Sequence, residues 1–222
     1  MTGVADLYLY LKKPYLKDRR KRILAHFVQQ QDAVTRFVVL SWKRTGSNLL
    51  CGILHHHNEI TMHNELFNPI DIFTYHPHML RHSDDDEDDD PGGGGERPLW
   101  SVMTRDLFPG EFMDFIWSGM TVSGIPIRAQ SATTTTTRAI GFKSFPEHWT
   151  SVRNEAFWQQ QILEDFRVKK IVLFREDELA VYVSMKRSEV TGSYLTHAYP
   201  ENLTVTVDPS DFQTFVNHYR FT

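Results

Sequence analysis

Residues 37–50 constrain the chain more tightly than any other stretch. They read Phe37-Val38-Val39-Leu40-Ser41, then Trp42-Lys43-Arg44-Thr45-Gly46-Ser47-Asn48, then Leu49-Leu50. The first, apolar and β-branched run has the composition of a buried parallel strand. It breaks into a short polar turn, after which apolar spacing of helical type resumes. A strand, a tight turn and a helix N-terminus build an anion pocket, because unpaired backbone N–H groups and the positive end of the helix dipole face one spot. Gly46 permits close approach or positive φ, Arg44 brings a fixed charge, and Ser47 and Asn48 add side-chain donors. An ordinary strand-to-helix turn has the same spacing, so spacing leaves both readings open. The turn lacks the Gly-Lys-Ser/Thr ending of the nucleotide-hydrolase loop, which argues against an anion held by that loop's lysine and Mg²⁺.

The 222 residues suit one domain, 1–222, with a substantial core. Hydrophobic residues at 41% and aromatics at 13% argue for a globular chain rather than a disordered one. A net charge of −4 provides no overall basic field for nucleic acid. The single cysteine, Cys51, excludes an intrachain disulfide framework and a Cys-rich metal site, and its place in the apolar pattern reads as a buried helix residue. No apolar run approaches the roughly 20 residues of a membrane span. The N-terminus turns basic after its apolar residues, the reverse of a secretory signal. As written, the chain reads as cytoplasmic; a missing true start would leave a Golgi location open.

Helical spacing marks residues 17–31, and strands are expected at 36–41, 60–62, 139–143 and 168–174. Helices are expected at 48–57, at 104–116 with a break at Pro109-Gly110, at 152–166, at 176–188 and from Asp208-Pro209 onward. The acidic and glycine run at 83–97 reads as a solvated insert, and the Thr-rich stretch at 130–138 as a loop. Strand, helix, strand, helix with buried β-rich runs implies an α/β fold, a parallel sheet covered by helices on both faces. Ligands of such sheets sit beyond the C-terminal strand ends, where Arg44 and Arg175 both fall.

Nine positions after Arg175 comes Ser184, on the helix expected to follow it. A loop arginine and a helix serine form a second anion grip, so the two pockets suit a nucleotide with anionic groups at both ends. Here a resemblance becomes specific. Residues 41–50 resemble the 5′-phosphosulfate loop of sulfotransferases that use 3′-phosphoadenosine 5′-phosphosulfate (PAPS), and residues 175–184 look like their 3′-phosphate motif. The spacing and the following Thr191-Gly192-Ser193-Tyr194 are closest to the bacterial trehalose 2-sulfotransferase and nodulation-sulfotransferase branch. Asn64-Glu65-Leu66-Phe67-Asn68 is similar to that branch's Glu-containing segment, and Gly141-Phe142-Lys143 to its Gly-x-Lys strand.

The resemblance implies a sulfotransferase of P-loop-hydrolase-like fold that moves a sulfuryl group from PAPS to a hydroxyl of a carbohydrate or small molecule. It assigns the 5′-phosphosulfate to Arg44, Thr45, Gly46, Ser47 and Asn48 and the 3′-phosphate to Arg175 and Ser184. Glu65 becomes the general base, with Lys143 facing the acceptor or the transferring sulfonate. No metal is expected, because a sulfuryl group carries less charge than a phosphoryl group. His63 competes with Glu65 as base. His55-His56-His57 cannot converge on one metal, since neighbouring helical positions point about 100° apart, and His76 and His78 lack a third ligand at diagnostic spacing. Trp100, Trp117, Trp149 and Trp158 suit either sugar stacking or the core. The family runs on past residue 222 through a further strand, so a C-terminally truncated fold is expected. A non-catalytic PAPS-binding module on the same scaffold is the alternative, and a Mg²⁺-dependent phosphoryl-transfer enzyme a weaker one.

Overall fold

The computed structural model describes residues 34–74, 100–120, 137–149, 155–192, 200 and 203–221. The expected helix at 17–31, the insert at 83–97, His76, His78 and most of the Thr-rich stretch lie outside them. The described elements are β1 (Thr35–Ser41), α1 (Ser47–His55), β2 (Ile60–Met62), α2 (Val102–Leu107), α3 (Pro109–Trp117) and β3 (Ala139–Ser144). A 3₁₀ turn (Pro146–His148) follows, then α4 (Glu155–Phe157), a π-helical stretch (Trp158–Leu163), β4 (Val168–Leu173), α5 (Glu178–Thr191) and α6 (Pro209–Phe221).

The four strands form one parallel sheet in the order β2-β3-β1-β4, an α/β architecture. β1 is central, with Val38 opposite Phe142 on one side and Lys170 on the other. Side chains alternate across a strand, so β1 supplies two cores. Val38 joins Ile140, Phe142 and Val168 against α3 and the Phe157-Trp158 segment, while Phe37 and Val39 pack with Cys51 and Met62 beneath α1. Fully burying each such side chain is worth on the order of 2 kcal/mol. The connection leaving β1 runs past β3 to β2, and the connection leaving β3 returns past β1 to β4. Opposite directions with right-handed crossovers place the connecting helices on opposite faces.

Local chemistry explains where the elements stop. The break expected at Pro109-Gly110 is there: Pro109 opens α3, and Ser101 caps α2, its side chain accepting from the Thr104 N–H. Asp177 caps α5 by accepting from the Ala180 N–H. Two expectations need correction. The amphipathic stretch at 152–166 is helical from Glu155 but widens to π geometry, with the Glu164 N–H reaching the Gln159 carbonyl at 2.9 Å. This keeps Phe157, Trp158 and Ile162 all buried. β4 reads as a buried strand, yet Val172 is 69% and Phe174 66% exposed. Among the described residues β4 pairs only with β1, so it is an edge and the second covering layer does not reach it.

The last helix is tied down at several points. Val216 and Phe215 pack on Val181 and Tyr182, with Trp42 alongside. Tyr182 donates to Asp211 at 2.7 Å. The Tyr219 hydroxyl donates to the Arg175 carbonyl at 3.0 Å and receives the Arg175 N–H at 3.1 Å. Arg220 grips Glu178 through both carboxylate oxygens, at 2.6 and 3.0 Å.

Candidate active site at the carboxyl edge of the sheet

Because all four strands run parallel, their C-terminal ends share one edge, and each delivers one of the segments singled out in the sequence. β1 leads into the turn at 42–46. Arg44 takes positive φ (64°), as does Gly46 (93°), which caps α1 without any side-chain cap. Left-handed geometry costs a non-glycine residue about 1–3 kcal/mol, a strain typical of functional turns. Thr45 braces the turn by donating its hydroxyl to the Trp42 carbonyl at 2.8 Å. No acidic residue sits in the first turn of α1 and no side chain caps it, so the positive end of its dipole is not offset from within the helix. The Arg44 Nε donates to Ser184 Oγ at 2.9 Å across 140 residues, bringing the start of α1 against α5.

β2 ends in the segment carrying Glu65, which is stitched to β3. The His63 N–H donates to the Gly141 carbonyl at 2.8 Å and the Lys143 N–H to the Asn64 carbonyl at 3.0 Å. Leu66 and Phe67 plug the segment into the core. Below it, Arg105 is buried and donates to the carbonyls of Leu66 and Asn68, both at 2.8 Å. Its Nε pairs with Asp106 at 2.7 Å, and the rest of the guanidinium, turned to backbone oxygens, fixes this loop.

β3 supplies Lys143, 1% exposed. The Gly-x-Lys pattern has a steric reason: a Cβ on Gly141 would lie 2.3 Å from the Phe37 ring. Two residues on, Lys143 rises on the same face, toward α1. Its Nζ donates to Asn48 Oδ1 at 2.5 Å and pairs with Glu65 Oε1 at 2.9 Å. Asn68 Nδ2 donates to Glu65 Oε2 at 2.8 Å, and His148 Nε2 stands 3.8 Å from the same oxygen. Burial alone would raise the Glu65 pKa; the Lys143 ammonium and the hydrogen bonds from Lys143 and Asn68 outweigh it and hold the carboxyl below its ordinary range.

The structure therefore joins Asn48, Lys143 and Glu65 in one chain and places Arg44 with Ser184. Arg175 stands apart, exposed at the end of β4. With Trp42, Trp149, Val172 and Tyr219 it lines an open cavity of about 590 Å³, within the range of small-molecule sites. Of the four tryptophans, Trp100, Trp117 and Trp158 are buried in the core, and Trp149 faces that cavity. Cys51 is buried, and burial pushes its thiol up to about 11, so it carries no thiolate chemistry. The histidine facing Glu65 is His148; His63 is wholly buried at the end of β2. His148 follows β3 within Pro146-Glu147-His148, a strand-end position where a polar residue signals a site, and sequence reasoning passed over it.

No protein-family model matches the chain, and neither does any curated protein or solved structure. Among the described residues there is no group of three metal-ligating side chains and no helix long and apolar enough to cross a membrane.

Proposed function

We propose that the protein transfers a sulfuryl group from PAPS to a hydroxyl of a carbohydrate or other small molecule, on a P-loop-hydrolase-like sulfotransferase scaffold. The observation that carries this reading is the chain Asn48–Lys143–Glu65, which couples the start of α1, uncapped by any side chain, to a half-buried, ionised carboxylate. An anion site beside a base is the arrangement an acceptor-activating transferase needs.

The donor set fits the nucleotide. The first turn of α1, with Arg44, Ser47 and Asn48, suits a 5′-phosphosulfate. Exposed Arg175 suits the 3′-phosphate, and the cavity beside it has room for a nucleoside. Glu65 takes the proton of the acceptor hydroxyl as its oxygen bonds to sulfur and the bond from sulfur to the bridging 5′-phosphate oxygen breaks. The α1 N–H groups and Arg44 receive the charge left on that oxygen, and Lys143 stabilises the equatorial sulfuryl oxygens. A positioned base of this kind is typically worth about 10²–10⁴-fold.

Incubation with radiolabelled PAPS and simple glycosides tests the proposal, with Glu65→Gln and Arg44→Ala alongside and binding of 3′-phosphoadenosine 5′-phosphate (PAP) measured by calorimetry. Transfer by the native chain that fails in Glu65→Gln supports it. Retained PAP binding with no transfer would reduce the protein to a nucleotide-binding module. A Mg²⁺-dependent reaction with ATP would replace the reading altogether.

A further inference from the structure

We propose that His148 is a positioning residue for Glu65: held in one tautomer from behind, it aims a neutral N–H at the carboxylate and fixes the oxygen that meets the acceptor. The proposal rests on Glu65 acting as the base.

Every proton around His148 runs in one direction. The Phe145 backbone N–H donates to Nδ1 at 3.3 Å. The Ser144 hydroxyl lies 3.4 Å from the same nitrogen and itself receives the Trp149 Nε1–H at 3.0 Å, so its own proton is left to donate to Nδ1. With Nδ1 an acceptor, the neutral ring carries its proton on Nε2, the nitrogen 3.8 Å from Glu65 Oε2. That distance is longer than a hydrogen bond, so the contact orients the carboxylate electrostatically without binding it. Asn68 secures Oε2 and Lys143 secures Oε1, and the imidazole stands beside Oε2, leaving the exposed part of the carboxylate to the acceptor.

The ring must stay neutral for this arrangement. Glu65 already faces one ammonium, and a second cation would further weaken it as a base. His148 is buried, and burial depresses its pKa to about 4, against the opposing pull of Glu65 and Glu147 and with help from Lys43 and Lys143. The groups facing Glu65 are Lys143 on β3, Asn68 on its own loop, His148 on the 3₁₀ turn and the un-ionised Cys51 thiol on α1. With the ring neutral and the thiol un-ionised, the ammonium of Lys143 is the one cation among them.

The test compares His148→Phe, which keeps the bulk and loses both nitrogens, with His148→Gln, which can still present an N–H to Glu65. In the PAPS–glycoside assay, His148→Phe lowers kcat about tenfold at unchanged PAP affinity and moves the acidic limb of the pH profile upward. His148→Gln recovers most of the loss. Equal activity in all three forms, or equal loss in both variants together with lost PAP affinity, would overturn the proposal. A second readout needs no turnover: in ¹³C-glutamate-labelled protein, with the Glu65 signal assigned by Glu65→Gln, His148→Phe raises the Glu65 titration and His148→Gln leaves it near native. If the native chain transfers no sulfuryl group, the sulfotransferase reading fails while this titration still decides the positioning role; a Glu65 titration unmoved by His148→Phe sinks it.

Discussion

The two halves of the carboxyl edge differ in how finished they are. On the β1–β3–β2 side, Asn48, Lys143, Glu65, Asn68 and His148 interlock within hydrogen-bond or ion-pair reach, and Arg105 pins the loop from below. On the β4 side, Arg175 is exposed beyond a strand that is an edge among the described residues, and the Tyr219 hydroxyl bonds its backbone N–H and carbonyl. The first half is organised for chemistry before any ligand arrives. The second is an open cavity. On the proposed function, the interlocked half would place the reacting groups and the open half would take the nucleotide.

The sharpest way to separate the halves is a crossed pair of variants. On the proposed function, Glu65→Gln lowers kcat by about 10²–10⁴-fold and leaves PAP affinity within about twofold. A parallel fall in affinity, seen by calorimetry, would show that the two halves are not separable.

Removing the centre of the rigid half should cost stability. Lys143→Met leaves the half-buried Glu65 carboxylate without its cation; breaking a fully buried pair this way costs about 3–5 kcal/mol, and the partial exposure of Glu65 places the loss below that range. Urea unfolding should show that loss, and the double variant Lys143→Met/Glu65→Gln should recover a large part of it. Failure of the second change to help would mean the Lys143–Glu65 pair is not the stabilising contact.

Acid should weaken the same half. His148 has a folded pKa of about 4 against 6.5 for the free side chain, so the unfolded chain binds a proton that the folded chain refuses. Stability is therefore full above pH 6.5 and falls as pH drops toward 4, by roughly 3 kcal/mol. Glu65, whose folded pKa is depressed, adds a loss of the same sign at lower pH, as the carboxylate protonates in the unfolded chain first. Unfolding measured at pH 6.5 and 4.5 should show the fall in the native chain and a flatter profile in His148→Phe.

The open half predicts the smallest effect. Arg175→Ala should weaken PAP about tenfold, near 1.4 kcal/mol, without moving the thermal midpoint. A drop in the midpoint would show that the arginine is structural.

Much of the scaffold was legible in short windows. The β-branched run at 37–41, the Pro109 break and the Asp208-Pro209 helix start are local preferences that the fold kept. The Gly-x-Lys strand was legible as a pattern, but its cause, the Phe37 ring lying over Gly141, appears only when β1 and β3 pair. Exposure of β4 was not legible at all, because an apolar edge strand and a buried one have the same composition.

The turn at residues 42–48 could be read from its own residues, since backbone freedom at Gly46 and the start of a helix are properties of adjacent positions. The meeting of Asn48, Glu65, Lys143 and His148 could not. These residues span 48 to 148 in the chain and converge because strand order β2-β3-β1 lays three C-terminal ends side by side. Local preference places an arginine in a turn or a lysine on a strand; register and strand order choose the carboxylate that faces it. That choice turned an anion pocket into a candidate active site.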